Sequence, residues 1–294
     1  MVGDDVINAV LDFLIHGIML PEVNVTQIVL IPKIKSLEKM SNFRPISLCN
    51  VIYKTISKVL ANRLKQVLSQ LISPTQSAFV LERLITDNIL VAYEQLHAMH
   101  SRKKGKNGSF GLKLDVSKAY DRVEWAFLKG IMTKLGFSKF WIDRVISCIS
   151  TPSFSICING KSYGNIKPSK GLRQGDPLSP YLFLLCVEGF NSLLKKDELE
   201  DKLHGVKICC RAPSISYLLF ADDSLLFCHA TREEVKVIME ILHLYALASR
   251  KCINLEKSSV FFSRIQWQGK GIGLKAYWGL RRLTNSSHTW VYLP

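Results

Sequence analysis

The chain has 294 residues, 48% of them hydrophobic, which is enough for one large domain or two smaller ones with a sizeable core. Lys and Arg outnumber Asp and Glu by 39 to 24, and the resulting +15 is spread along the chain, which favours a polyanion-binding surface over a disordered basic arm. The longest apolar run, LSPYLFLLCV (178–187), is too short to span a bilayer, MVGDDVINAV lacks a secretory pattern, and eight scattered cysteines without a C-x-x-C pair read as reduced thiols in an intracellular protein.

Residues 5–20 carry apolar side chains at helical spacing. VTQIVLIPK (25–33) alternates and is rich in β-branched residues, so it reads as a strand ending at Pro32. ISLCNVIYKTISKVLANRLKQVLSQLI (46–72) reads as one long helix with a basic face over 54–65, broken at Pro74. A helix over 84–100 follows, then a basic loop, SRKKGKNGS (101–109), too short to link domains. FGLKLDVS (110–117) reads as a strand ending on an acid, and WAFLKGIMTKLG (125–136) as a helix stopped by Gly136. Residues 153–166 read as a hairpin around Asn159–Gly160. A helix is predicted over 177–196, strands over 215–220 and 224–229, a helix over 233–249 and extended chain over 252–262.

The last two strands flank Ala221–Asp222–Asp223, two acids interrupting a run of Leu and Phe. Carboxylates in apolar surroundings are costly unless something positive meets them. A hairpin with acids at its tip, lying beside Asp115 at the end of an earlier strand, would bring three carboxylates together. Converging carboxylates need a cation, and Mg²⁺ favours one or two carboxylates plus substrate phosphate oxygens. Two such ions clamp an in-line displacement at phosphorus. An Asp pair that merely caps a helix or sits in a solvated turn is the alternative, which the apolar flanks on both sides weaken.

Several stretches together resemble a known family. FADD between apolar strands is similar to the catalytic hairpin of reverse transcriptases. NFRPISL (42–48), LDVSKAYDRVEW (114–125), GLRQGDPLSPYLF (171–183) and INLEKSS (253–259) fall in that family's order. The motifs look most like the polymerase of plant non-LTR (LINE-type) retrotransposons, over roughly residues 2–264.

The resemblance implies an α+β right-hand polymerase fold, with fingers over about 1–109 and palm over about 110–264, interleaved, and the thumb largely missing. The palm would be an antiparallel sheet backed by helices. Asp115 and Asp222 match the metal-binding carboxylates, with the Val116 backbone carbonyl as a further ligand, and Asp223 the hairpin's other acid. The implied cofactor is a pair of Mg²⁺ ions, with Mn²⁺ as an alternative. Lys257 matches the lysine that protonates departing pyrophosphate. Lys33, Arg44, Tyr120, Arg173, Gln174 and Gly175 match positions that meet the dNTP. An aromatic at Tyr120 would collide with a ribose 2′-hydroxyl and so select deoxynucleotides. Implied partners are an RNA template, a DNA primer and dNTP, for a monomer away from any membrane, in the nucleus or the cytoplasm. A catalytically impaired remnant that only binds nucleic acid stays open, as does an RNA-templated RNA polymerase, which Tyr120 and Ala221 disfavour.

The chain departs from the family's pattern in three places. Leu81–Glu82–Arg83 stands where Pro-Gly-Arg is usual, and Arg250 stands near a usual turn glycine. Glu82 would cost on the order of 1 kcal/mol if its φ is positive. Residues 265–294 lose the resemblance, and a shifted frame of 277–294 with freely chosen codons can spell LGVKEVDKFVTYLGLP. A divergent or frameshifted tail is therefore expected.

Overall fold

The computed structural model describes residues 2–36, 38–102, 108–250, 252–254, 257–263 and 290–292. The chain forms two compact units, one from Met1–Leu71 and Tyr120–Cys186, the other from Ile72–Ala119 and Val187–Pro294.

In chain order the elements begin with helix α1 (Val2–His16), strand β1 (Val25–Pro32), strand β2 (Phe43–Cys49) and helix α2 (Val51–Leu71). Helix α3 (Ile85–Ser101), strand β3 (Ser109–Leu114) and the two-residue strand β4 (Val116–Ser117) come next. Helices α4 (Trp125–Lys134) and α5 (Lys139–Ser150) precede the hairpin of β5 (Ser153–Ile158) and β6 (Lys161–Ile166). Helix α6 (Ser179–Leu199), strands β7 (Tyr217–Phe220) and β8 (Asp223–His229) and helix α7 (Arg232–Ser249) follow. Strands β9 (Cys252–Ile253), β10 (Ser259–Phe262) and β11 (Trp290–Tyr292) end the order.

In the first unit, four strands pair in the order β2-β1-β5-β6. Helix α2 buries Tyr53, Ile56, Leu60, Leu64 and Leu68 at helical spacing, and the basic face expected over 54–65 leaves Lys54, Lys58 and Arg63 exposed. The long helix predicted over 46–72 is corrected here. Its first residues form β2, paired antiparallel to β1 with Ile46 opposite Val29 and Leu48 opposite Gln27. The break falls at Asn50, whose Oδ1 accepts from the Ile52 N–H at 2.9 Å and so satisfies a first-turn donor of α2. Helix α5 has no counterpart in the sequence reading, although Ser138 caps it by accepting from the Trp141 N–H at 3.3 Å. Its buried Arg144 donates to the Leu14 carbonyl at 2.7 Å and also to that of Ile15, closing the open end of α1. The β5–β6 turn is as expected: Asn159 and Gly160 both have positive φ, +50° and +77°, as a tight two-residue hairpin demands.

In the second unit, five strands pair in the order β11-β10-β3-β8-β7, all antiparallel. Met99 of α3, Val206, Phe227 of β8 and Phe261 of β10 form a core cluster, joined by Ala92, Leu96 and Ile215. Strand β3 is central, with Phe110 and Leu112 wholly buried, which fixes its place between β8 and β10. The expected divergent tail lies largely outside the described residues; within it, β11 pairs with β10, Val291 opposite Val260. No described helix is long and apolar enough to cross a membrane.

Two residues flagged in the sequence hold left-handed backbone. Glu82 has φ +64° and Arg250 +55°, the latter as the C-cap of α7. A side chain with a Cβ costs about 1 kcal/mol or more in that region, and glycine removes the penalty. Glu82→Gly and Arg250→Gly should therefore each raise stability by about 1 kcal/mol, read as a higher urea midpoint at constant slope. A midpoint unchanged or lowered in both would show that these turns carry no strain.

Candidate active site

Strands β7 and β8 form a tight hairpin. Phe220 pairs with Asp223, so the turn is Ala221–Asp222, one residue shorter than the sequence suggested. Alternate side chains of β7 are buried, whereas Asp222 and Asp223 are exposed at the tip. The apolar flanks thus anchor the hairpin while its acids reach solvent. Ala221 sits at φ +51°, a strained value for a residue with a Cβ. The buried Gln76 holds it there, its Oε1 accepting from the Ala221 and Ala78 N–H groups, both at 3.0 Å. The outer edge of β7 is covered by the same segment: the Leu219 N–H donates to the Thr75 carbonyl at 2.9 Å, and the Leu219 carbonyl accepts from the Ser77 N–H at 3.2 Å. Asn88 Nδ2 adds a bond to the Leu219 carbonyl at 3.0 Å.

The third acid arrives on the neighbouring strand. Leu114 is paired with Ser224, and continuing that register by one residue sets Asp115 opposite Asp223. Side chains directly opposite lie on the same face with Cβ atoms about 5 Å apart. The backbone of Asp115 is clamped on both sides. Its N–H donates to Ser258 Oγ at 3.2 Å, and its carbonyl accepts from the Asn254 N–H at 2.8 Å. Ser258 Oγ in turn donates to the Asn254 carbonyl at 2.8 Å. Val116 pairs with Ile253 just beyond. Lys257 is exposed in this turn, its N–H bonded to the Asn254 carbonyl at 3.2 Å.

The electrostatics register the crowding of acids. Partial withdrawal from water raises the Asp223 carboxyl above its ordinary value; Lys113 pulls it back, and Asp222 and Asp115 push it up. Lys113 lies two residues before Asp115 on β3 and so projects from the same face of the strand. Sequence reasoning overlooked it, together with Gln76, Asn254 and Ser258. The stretches QSAFV (76–80) and INLEKSS (253–259) contain the last three; their roles show only once the strands pair.

A raised carboxyl binds its proton more tightly folded than unfolded, so ionised Asp223 opposes folding. Stability from this group increases as pH falls through the raised value and is lost as pH rises through the window above the ordinary carboxylate range. Asp223→Asn should accordingly raise Tm at neutral pH in the presence of chelator, with the gain shrinking toward acid pH. An equal Tm for both proteins across that range would contradict the repulsion.

The remaining expected site residues belong to the other unit. Tyr120 stacks on Phe183, with ring centroids 4.8 Å apart and planes 7° from parallel. Gln174 Nε2 donates to Asp121 Oδ1 at 3.4 Å, and its carbonyl accepts from the Ser47 N–H at 2.8 Å. Gly175 has φ +101°, and an added Cβ would meet the Ser47 carbonyl oxygen at 3.2 Å. Gly171 is tighter still, φ +94° and 2.9 Å from the Asp121 carbonyl oxygen. Only glycine fits these two approaches. Lys33 and Arg44 are exposed near the paired ends of β1 and β2; Lys33 Nζ bonds the Ser41 carbonyl at 3.1 Å.

Arg173, expected at the nucleotide, is buried, and its guanidinium is bonded within this unit. Its Nη1 donates to Asn24 Oδ1 at 2.6 Å and Thr26 Oγ1 at 3.1 Å, and its Nη2 to the Cys148 carbonyl at 2.8 Å. It lies over the Tyr53 ring at 3.8 Å and pairs in charge with buried Asp176, Nε to Oδ2 3.6 Å. Asp176 also accepts from the Tyr53 hydroxyl at 2.7 Å, from Ser57 Oγ and from the Leu178 N–H at 3.1 Å. Three of its five N–H groups are hydrogen-bonded inside this unit and a fourth faces Asp176.

The model of the reverse transcriptase (RNA-dependent DNA polymerase) family matches residues 31–289. The chain belongs to this family. It is 33% identical over 232 residues to the transposon TX1 uncharacterized 149 kDa protein of Xenopus laevis, covering 78% of this chain and 17% of that protein. It is 29% identical over 218 residues to the retrovirus-related Pol polyprotein from the type-2 retrotransposable element R2DM of Drosophila melanogaster, covering 74% and 19%. The chain therefore spans under a fifth of the length of either relative. Among solved structures, telomerase from Candida tropicalis matches with a TM-score of 0.57 at 15% identity, over 84% of this chain and 42% of that one. The fold is thus the mixed α+β fingers-and-palm fold of reverse transcriptases, as the motifs implied. The Asp222–Asp223 hairpin joins β7 to β8 at one edge of the antiparallel sheet of the second unit.

Proposed function

We propose that this chain is the polymerase domain of a plant non-LTR retrotransposon, extending a DNA primer with deoxynucleotides along an RNA template. The observation that supports it most is the register setting Asp115 opposite the Asp222–Asp223 hairpin in an antiparallel sheet. In the reaction the primer 3′-hydroxyl oxygen attacks the α-phosphorus of the dNTP, the hydroxyl proton passes to solvent water, and the bond to pyrophosphate breaks. A cluster of hard oxygen donors, net negative and self-repelling, fits divalent magnesium. Asp115, Asp222 and the Val116 carbonyl would hold a pair of such ions, with Asp223 beside them. Bound there, the metal would supply positive charge for the attacking and leaving oxygens. Lys257 protonates the departing pyrophosphate. Lys33 and Arg44 offer charge to the triphosphate, and Gln174 and Gly175 present a close backbone approach to the nucleotide. Tyr120, held flat by Phe183, excludes a 2′-hydroxyl. The protein acts as a monomer inside the cell, in the nucleus or the cytoplasm.

The test is primer extension on an RNA template with Mg²⁺, comparing dNTPs with NTPs. Extension with dNTPs alone is expected. Tyr120→Ala should narrow the preference for dNTPs over NTPs by about tenfold or more, since it removes a steric clash rather than a bond. Extension with NTPs by the unmodified protein would instead support an RNA polymerase. A second reading, a remnant that binds nucleic acid without copying it, is favoured by the strained Glu82 and Arg250 turns. Salt-sensitive RNA–DNA binding with no extension under any divalent ion would select it.

A further inference from the structure

The far end of strand β8 carries a second cluster of donors. Asp223 opens the strand and His229 closes it, so the two ends are about 20 Å apart. His229 stacks against His204, ring centroids 5.5 Å apart and planes 9° from parallel. Both imidazoles turn Nδ1 toward one oxygen of Glu234: His204 at 3.0 Å and His229 at 3.4 Å from Oε1. Ligand atoms of the three residues all lie within 4.8 Å of one another.

Each donor is held from outside the cluster. Glu234 is buried, and its other oxygen accepts from the His229 N–H at 3.0 Å and the His204 N–H at 3.4 Å. Thr231, which caps α7, fixes the Glu234 backbone by accepting its N–H at 3.2 Å. Asp201 Oδ1 lies 3.3 Å from His204 Nε2. Gly205 lets the His204 loop lie close, because a Cβ there would come within 2.6 Å of the Ile215 carbonyl carbon. A cleft of about 480 Å³ opens onto the cluster, lined by Arg102, Glu198, Asp201, His204, Lys207 and His229.

Hydrogen bonds from a neutral His204 satisfy this arrangement poorly. A neutral imidazole carries one N–H, yet both nitrogens of His204 face carboxylate oxygens. If Nε2–H serves Asp201, the Nδ1 lone pair faces the Glu234 oxygen, and repulsion results unless a second proton or a metal cation lies between them. Tetrahedral bonds of about 2.0–2.1 Å put ligand atoms about 3.4 Å apart, close to the two separations observed. An outer carboxylate on the second ring nitrogen is the usual support of a metal-binding histidine. Arg102 and Lys207 oppose a cation in the cleft; Glu198, Asp201 and Glu234 offset them.

We propose that His204, His229 and Glu234 bind a first-row divalent ion of zinc's class, with Asp201 orienting His204 from outside. Two imidazoles and one carboxylate suit zinc better than magnesium, which sets this site apart from the acids at the other end of the strand. The ion would tie the His204 loop and the start of α7 to the end of β8.

The test uses the full chain, stripped with chelator and titrated with Co²⁺ and then Zn²⁺. One equivalent of Co²⁺ should give the visible bands of a four-coordinate nitrogen–oxygen site, and Zn²⁺ should displace it and raise Tm. His204→Asn and His229→Asn should keep their metal-free Tm and bind Zn²⁺ at least about 100-fold more weakly; Asp201→Asn should weaken it about tenfold. Asp115→Asn with Asp222→Asn should leave Zn²⁺ affinity unchanged. No saturable band in the unmodified protein would overturn the site, as would undiminished affinity in both histidine variants. A thiolate charge-transfer band would do so too, by placing the ion on exposed Cys209 and Cys210.

Discussion

Asp115→Asn or Asp222→Asn is expected to lower single-nucleotide extension by at least about 10³-fold while leaving the fold intact. Asn keeps the size and one oxygen of Asp but loses the charge that holds a divalent ion. The loss of metal-supplied charge stabilisation is worth several kcal/mol in the transition state. Folding should not suffer, because what fixes Asp115 is its backbone, through Ser258 Oγ and the Asn254 N–H. Removing one acid also relieves the repulsion that adds to burial in raising the Asp223 carboxyl, so Tm without metal should hold or rise. Binding of an RNA–DNA duplex should change little at moderate salt. Extension within tenfold of the unmodified chain would remove these acids from the chemistry.

Arg173→Met should destabilise the protein by about 3–5 kcal/mol, because it leaves Asp176 buried without its countercharge. Arg173→Lys should recover little of this. A lysine is a point charge and cannot reach Asn24, Thr26 and the Cys148 carbonyl in one plane while lying over Tyr53. The double change Arg173→Met with Asp176→Asn should be less destabilised than the sum of the singles, since the stranded charge is gone. Urea unfolding measures all four proteins. If instead Arg173→Lys retains full stability and raises KM for dNTP, the arginine serves the nucleotide after all and the buried network is incidental.

Arg173 shows where motif reading stops. The motif GLRQGD places Arg and Gln side by side and suggests a shared task. In the folded chain Gln174 is partly exposed with Asp121 while Arg173 turns into the core. Two successive residues face opposite ways whenever the backbone is extended between them, and which one turns inward depends on partners elsewhere in the chain. Gln76 makes the same point from the other side. Nothing in QSAFV says that its amide will hold the Ala221–Asp222 turn, because the Ala221 N–H it serves lies in a remote segment.

From its own residues the sequence determined most elements and the acids at the tip of the β7–β8 hairpin. Alternation set β1, an apolar run set β8, helical spacing set α3 and α7, and Asn159–Gly160 set the β5–β6 turn, because these depend on neighbours within a turn or two of chain. The tertiary structure alone decided that residues 43–49 are a strand, that Arg173 is a core residue and that Asp115 faces Asp223. Each of these rests on pairing between segments far apart in the chain, whose energy outweighs local propensity and has no trace in local spacing.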